Sequence, residues 1–305
     1  MVYIFGPVPS RRLGLSLGVD LIPSKTCTYN CLYCQVGKTT CRTVEVKPYV
    51  PVRDVLDELG WVLEKTSPDT ITLAGSGEPT LHSGIGKIIK TVKKKADTQV
   101  ALLTNGSLLW KEEVMDRVLD ADIIMPTLST VFDDTFNRIH RPHPDLKLSH
   151  IIEGIKRLRK VFKGELLIEV VLLAGINDSE RELLGLKDVL TEISPDKIQL
   201  NTVVRPPADS NALALDMTHL ENIKEFFGDK AEIIANAPLR QHIGEYDSDA
   251  DAIIEMARRR PISNDDIAGV LNIELSDLDG ILKGLLIKGD IRKQEYDGEV
   301  YYIAA

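Results

Sequence analysis

The 305-residue chain reads as an α/β protein with two units. The first is a partial, open (β/α)6 barrel over residues 1–235. A connector over 236–247 leads to a small winged helix-turn-helix domain over 248–305. Three observations carry this reading. Short apolar strand patterns alternate with helical patterns from residue 14 to about 235, as in a parallel sheet with right-handed crossovers. The β/α repeats are too few for a closed eight-stranded barrel. After the connector the alternation stops, and helical patterns lead into two strand patterns around Asp297-Gly298, a strong hairpin signal.

The barrel strands are expected at 15–21, 70–74, 100–104, 123–127, 166–172 and 197–203. Each is short, apolar and bounded by Gly, Pro or polar turn residues, as buried parallel strands are. Helices are expected between them at 52–65, 85–95, 111–119, 150–162 and 180–193, with another at 218–227. Residues 236–247 begin Asn-Ala-Pro and lack periodicity, which marks a connector. The helix expected at 249–260 is ended by Pro261, and Ser263-Asn264-Asp265-Asp266 supplies N-cap chemistry for the next. A third helix is expected at 275–287, and strands at 291–294 and 300–303 close the chain.

Hydrophobic content of 43% and charged content of 27% are those of a soluble globular protein. No apolar run approaches membrane-spanning length, and the first 25 residues lack a signal-peptide layout. Four unevenly placed cysteines do not make a disulfide framework, so a reducing, cytoplasmic location is expected. A net charge of −9 argues against non-specific nucleic-acid binding over the whole surface. It leaves a local basic groove open.

Three of the four cysteines, Cys27, Cys31 and Cys34, form a C-x3-C-x2-C loop. Four-iron clusters are usually held by four thiolates, so three would leave one iron open to a ligand that is not protein. Two other readings stand beside this one: buried small hydrophobes, and a zinc site with Cys41 as fourth ligand. C-x3-C-x2-C-x6-C is not a common zinc spacing. The loop resembles the signature of the radical S-adenosylmethionine (SAM) superfamily. The resemblance implies one [4Fe-4S] cluster on Cys27, Cys31 and Cys34, with SAM chelating the open iron. It also implies a partial barrel, and reductive cleavage of SAM to a 5′-deoxyadenosyl radical that acts on a substrate.

The second strand pattern ends in Gly75-Ser76-Gly77-Glu78-Pro79-Thr80. Glycines at a strand end let a ligand approach the backbone, and a carboxylate accepts from an ammonium group. An ordinary Gly-Pro turn is the alternative. The segment resembles the superfamily's Gly-Gly-Glu-Pro motif, which implies that its backbone and Glu78 bind the SAM amino group. Asn105 in Thr104-Asn105-Gly106 belongs to the same resemblance. Ser129 is the candidate for the ribose hydroxyls, although relatives often carry Asp where this chain has Thr130. Glu169 on the fifth strand is either a satisfied buried carboxylate or a SAM contact. By the same analogy the Tyr33 carbonyl, the run Leu173-Ala174-Gly175-Ile176-Asn177-Asp178 and Asn201 are expected near adenine.

A narrower resemblance rests on Gly6-Pro7-Val8-Pro9-Ser10-Arg11-Arg12-Leu13-Gly14, His140-Arg141-Pro142-His143 and Val204-Arg205-Pro206-Pro207. Together these are similar to the group related to tRNA wyosine synthases (4-demethylwyosine synthase-like), over roughly residues 4–210. Arg11, Arg12, Arg141 and Arg205 are candidates to bind a carboxylate or phosphate, with structural ion pairs as the alternative. His140 and His143 are candidates for acid–base work or ordinary loop histidines. The leading function is a one-cluster radical SAM enzyme of unidentified substrate, tRNA or protein among the candidates. It needs a low-potential electron donor of ferredoxin or flavodoxin type. A tRNA base-modifying enzyme is one alternative, and a redox- or SAM-responsive winged-helix regulator is another. From Ser248 on there are 12 Asp/Glu and 7 Lys/Arg, 7 − 12 = −5. That charge is poorly suited to phosphate neutralisation, so the unit is expected to be a docking module, for a protein, a peptide or its own barrel.

Overall fold

A computed structural model describes residues 3–10, 12–95, 97–235, 248–271 and 273–305. The connector expected at 236–247 and Arg11 lie outside the described residues. In chain order the elements begin with β1 (Ile4–Ser10), β2 (Gly14–Val19), β3 (Thr26–Cys27), β4 (Cys41–Arg42), α1 (Val52–Leu63), β5 (Thr70–Leu73), α2 (Ile85–Lys95), β6 (Gln99–Thr104), α3 (Glu112–Val118) and β7 (Ile123–Pro126). Then come α4 (Asp133–His140), α5 (Leu148–Val161), β8 (Glu165–Val171), α6 (Glu180–Ile193), β9 (Lys197–Asn201), α7 (Met217–Phe227) and β10 (Ala231–Ile233). The C-terminal unit holds α8 (Asp249–Arg259), β11 (Ile262–Ser263), α9 (Asn264–Leu271), α10 (Leu275–Lys288), β12 (Ile291–Tyr296) and β13 (Glu299–Ala304).

The main sheet has the order β1-β2-β5-β6-β7-β8-β9-β10. Strands β2 to β10 in that order run parallel, and β1 is antiparallel to β2. The two edges do not pair, so the barrel is open. The expected strands all appear, most of them ending one or two residues earlier than expected. The sequence reading missed β1, because Gly6, Pro7 and Pro9 break a strand pattern. An antiparallel edge tolerates them, and the ladder shifts register between Phe5 and Val8. The reading also missed β10 and α4. The first is short, and the second is a polar helix whose N-cap, Phe132, offers no side-chain acceptor.

One core joins the sheet to α1, α2, α3, α5 and α6 through residues such as Leu17, Ile71, Ile88, Leu102, Ile155, Ile168 and Leu190. A separate core holds the C-terminal unit, built on Ile253, Ile262, Ile267, Leu282 and Tyr302. Asp297 (φ 51°) and Gly298 (φ 77°) form the tight turn between β12 and β13, the positive-φ pair that Asp-Gly hairpins use.

The C-terminal unit packs on the barrel at both ends of the sheet order. Helix α8 lies against β1, where the Arg259 guanidinium sits 4.7 Å from the Phe5 ring centroid. On the other side, Arg205 after β9 is ion-paired with Asp266 at 3.1 Å, both nearly buried. The Tyr301 hydroxyl donates to the Val204 carbonyl at 3.3 Å. Tyr296, next to the hairpin turn, packs against the cluster that includes Leu32, Leu173 and Ala212.

Candidate active site

Cys27 ends β3, and Cys31 and Cys34 follow on the loop between β3 and β4, after β2. The loop is fixed by backbone and side-chain bonds. Thr39 donates its amide to Asn30 Oδ1 (2.9 Å) and its hydroxyl to the Tyr29 carbonyl (2.7 Å). The Gly37 amide donates to the Cys34 carbonyl at 3.1 Å. Helix α4 buttresses the loop from behind. The Asn30 and Leu32 amides donate to the carbonyls of His140 and Ile139, and the His143 amide donates to that of Thr28, all at 2.9 Å. Tyr29 is buried against Phe136 and His140, with ring centroids 5.6 and 5.1 Å away. His140 Nδ1 lies 3.4 Å from both Cys31 Sγ and the Tyr33 hydroxyl. Burial pushes the His140 imidazole down to about 3, and the ring packs on the cysteine loop. His143 pairs with Asp145 at 3.7 Å. The sequence marked His140 to His143, but not the helix that presents them.

All three thiols are pushed up by burial, Cys27 to about 12, where nearby Glu78 adds to the effect. A buried thiolate is stable only when a cation or metal supplies the missing charge. Among the described residues no group of three or more His, Cys, Asp or Glu side chains is arranged around one ion position. Iron–sulfur clusters are held by cysteine thiolates. The donor set fits a cluster. Cys41 lies on β4, beside Thr26 of β3 in the ladder, and is exposed, with its amide donating to the Lys25 carbonyl at 3.1 Å.

The Gly75–Pro79 segment packs directly on the residues ahead of Cys27. The Lys25 amide donates to the Ser76 carbonyl (2.9 Å), and the Glu78 amide to the Thr26 carbonyl (3.3 Å). Gly75 has φ +145°, and Asp20 faces it, accepting from the Ser76 amide and hydroxyl at 3.0 and 2.6 Å. Glu78 is buried, and burial raises its carboxyl above the usual range against the pull of its hydrogen bonds. Its Oε1 accepts from the Thr80 amide (3.0 Å), the Thr80 hydroxyl (2.5 Å) and the Thr104 hydroxyl (2.6 Å). Its Oε2 accepts from the Asn105 amide at 2.7 Å. Asn105 in turn donates through Nδ2 to Thr28 Oγ1 (2.7 Å) and to Cys27 Sγ (3.6 Å). Two sequence-predicted motifs are thus tied to the cysteine loop through one carboxylate and one amide.

Deeper in the barrel Glu169 accepts from Arg12 (2.9 Å), Thr127 (3.1 Å) and Asn201 (3.2 Å). Ser129 is buried, and its Oγ accepts the Val171 amide at 3.0 Å, leaving the hydroxyl proton to donate elsewhere. Asn177 staples the loop after β8 by donating to the carbonyls of Ser129 (2.8 Å) and Val171 (2.9 Å). Thr130 donates to buried Glu182 at 2.6 Å, as does Thr135, so this position holds α6 in place. Tyr33, Leu32, Leu173, Ile176 and Tyr296 form one apolar cluster. Tyr296 comes from the C-terminal hairpin, and no local sequence signal announces it.

The arginines chosen from sequence as anion ligands are mostly occupied. Arg12 is paired with Glu169, Arg141 with Asp209 (2.7 Å) and Arg205 with Asp266. The structural ion-pair reading holds for these three.

Comparison with known proteins agrees with the architecture. The model of the radical SAM superfamily matches residues 21–186. A UPF0026 protein of Methanocaldococcus jannaschii is 32% identical, over 99% of this chain and 96% of its own length. A Brachyspira hyodysenteriae protein named GTPase Obg is 36% identical over 98% of this chain, which spans only 45% of that protein. Among solved structures, TYW1 with a lysine-pyruvate adduct bound superposes with a TM-score of 0.55 at 16% identity, over 73% of this chain and 75% of that one. SuiB of Streptococcus suis, bound to its precursor peptide SuiA, gives 0.55 at 16% identity, over 71% of this chain and 48% of that one. At such identities the likeness is one of fold.

Proposed function

The chain belongs to the radical SAM superfamily, and from that premise we propose that it is a one-cluster enzyme that cleaves SAM reductively. The superfamily binds SAM and an iron–sulfur cluster; here Cys27, Cys31 and Cys34 would hold a [4Fe-4S] cluster with one open iron. Bound together, the two groups supply a 5′-deoxyadenosyl radical once an external low-potential donor has delivered an electron. The single observation that carries this reading is the bonding of the Gly75–Pro79 segment to the residues just before Cys27.

The chain's own residues divide the remaining work. The Gly75–Gly77 backbone offers the amino-group site at the strand end. Glu78 acts mainly as a positioning residue: its four donors lock Thr80, Thr104 and Asn105. Asn105 orients Cys27. Ser129 has a hydroxyl proton for the ribose side. The cluster of Tyr33, Leu173 and Ile176 gives a flat purine an apolar wall, and Tyr296 packs against the same cluster. Glu169, Arg12 and Asn201 form a polar floor. Tyr296 and the Arg205–Asp266 pair make the C-terminal unit part of the site's enclosure.

The test is anaerobic reconstitution followed by reduction. Protein carrying about four irons per chain that releases 5′-deoxyadenosine from SAM supports the reading. Stoichiometric zinc in place of iron, or an iron-loaded protein that leaves SAM intact under dithionite, refutes it.

A further inference from the structure

A cleft of about 1020 Å³ lies between the cysteine loop and the C-terminal unit. One wall is Lys25, the Gln35–Lys38 stretch after Cys34, and Ser76 of the glycine segment. The other wall is the end of α8, Arg258 to Arg260, with Arg292 from β12. Two side-chain carboxylates reach it, with Ala305 beside them, and both are committed. Asp20 accepts from Ser76, and Glu255 holds Arg258 at 2.5 Å and Arg259 at 2.7 Å. Lys38 and Arg292 have no ion-pair or hydrogen-bond partner for their side chains among the described residues, and Lys25 acts electrostatically on Cys34.

On a chain of net charge −9, Lys38 and Arg292, with Lys25 beside Cys34, make a concavity that favours an anion. Lysine and arginine around a cleft are the donor set that phosphate selects. The volume is at the upper end of the range for small-molecule sites, large enough for a nucleotide. Ser76 places the cleft beside the segment proposed to hold the SAM amino group. We propose that this cleft binds the phosphate of the enzyme's substrate, carried by a free nucleotide or by an RNA chain. That the ligand is a substrate rests on the function proposed above; that it carries phosphate does not.

The experiment is equilibrium binding to the full-length, anaerobically purified chain, with no turnover required. The probes are GTP, inorganic triphosphate, unfractionated tRNA and, as the uncharged control, guanosine. Expected is binding of GTP or tRNA, with guanosine much weaker. Arg292→Glu, on a strand remote from the cysteines, should weaken that binding roughly tenfold or more and cut the slope of log affinity against log salt by about one. Lys38→Ala should act in the same direction with iron content unchanged. Binding of GTP and triphosphate identifies a free-nucleotide site, and binding of tRNA alone identifies an RNA phosphate. The proposal is overturned if no phosphate probe binds, or if binding persists unchanged in both variants. It is equally overturned if only an acidic electron carrier occupies the cleft. Failure of 5′-deoxyadenosine release with phosphate binding intact would sink the proposed reaction and leave the site standing.

Discussion

Gly77 has no room for a side chain, and the consequence is measurable. A Cβ at this position would overlap the carbonyl oxygen of Thr26 and approach Ile22 Cγ2 to 2.8 Å. The first obstacle is backbone, so no rotamer change relieves it. The segment must lift from β3, and two hydrogen bonds go with it: Lys25 N–H to Ser76 O and Glu78 N–H to Thr26 O. Each buried group left unpaired costs about 1–3 kcal/mol. With partial relaxation, Gly77→Ala should lose about 3 kcal/mol in all. At roughly 2–4 °C per kcal/mol for a domain of this size, Tm falls by about 6–12 °C. The matched control is Gly175→Ala, where φ is +69° and nothing lies within 4 Å of the added Cβ. Only the left-handed backbone is penalised there, by about 1–2 kcal/mol. Melting followed by circular dichroism decides the matter, with iron content after reconstitution as a second reading. If Gly77→Ala melts no lower than Gly175→Ala and loads iron like the parent, packing of the motif on β3 is not what requires glycine.

Replacing Cys27, Cys31 or Cys34 singly by Ser should abolish iron loading, measured anaerobically, whereas Cys41→Ser should keep it; iron retained by any of the first three would contradict the assignment. Glu78→Ala leaves four donors without their acceptor, so SAM affinity by calorimetry should fall roughly tenfold, at least 1.4 kcal/mol, with iron retained. Parent-like SAM affinity would show that the segment needs no such anchor. Arg205→Ala breaks a nearly buried pair, which costs up to about 3–5 kcal/mol and less where a second cation remains. Hydrogen exchange should show loss of protection in α9 and not in β5 to β7. The pH dependence follows from Asp266. Burial would raise its carboxyl, but Arg260 and Arg205 outweigh that and hold it below the ordinary 3.8. Its contribution to docking is therefore complete above that value and is lost as pH falls through the lower folded value, which acid titration of α9 protection would track.

Much of the barrel was legible because its signals are local. Each β/α repeat announces itself in a window of a few residues, and the cysteine loop and glycine segment are contiguous motifs at strand ends. What the sequence hid is long-range. Arg205 looks like a free anion ligand until Asp266, 61 residues on, is found beside it. Tyr296 reads as a hairpin residue until the fold sets it against Leu32 and Leu173. Glu78 was legible as a motif residue but not as the acceptor of four donors from two strand ends, because Thr104 and Asn105 sit more than 25 residues away. Helix α4 was missed although His140 was singled out, since its helical pattern is short and uncapped.

The charge of the C-terminal unit is unevenly distributed, and its sum alone does not describe the face turned to the cleft. Its total of −5 argued against phosphate binding, yet charge acts through its distribution. Of its seven Lys and Arg, Arg258, Arg259, Arg260 and Arg292 line the cleft, while of its twelve acidic residues only Glu255 does. Asp266 pairs with the lining Arg260 at 3.5 Å, while Asp277 and Asp279 sit on α10, the helix that a DNA-reading unit would present to a groove. The unit is thus acidic where a nucleic-acid reader would be basic, and basic where it faces the cysteine loop. This separates two uses of the same domain by a pair of charge reversals. Lys283→Glu alters α10, and Arg292→Glu alters the cleft. If the unit serves the enzyme's own substrate, only Arg292→Glu weakens binding of the phosphate probe, and Lys283→Glu stays within roughly twofold of the parent, as exposed surface changes do. If Lys283→Glu weakens tRNA binding as much as Arg292→Glu does, α10 is a nucleic-acid surface and the cleft is not the main seat of the phosphate.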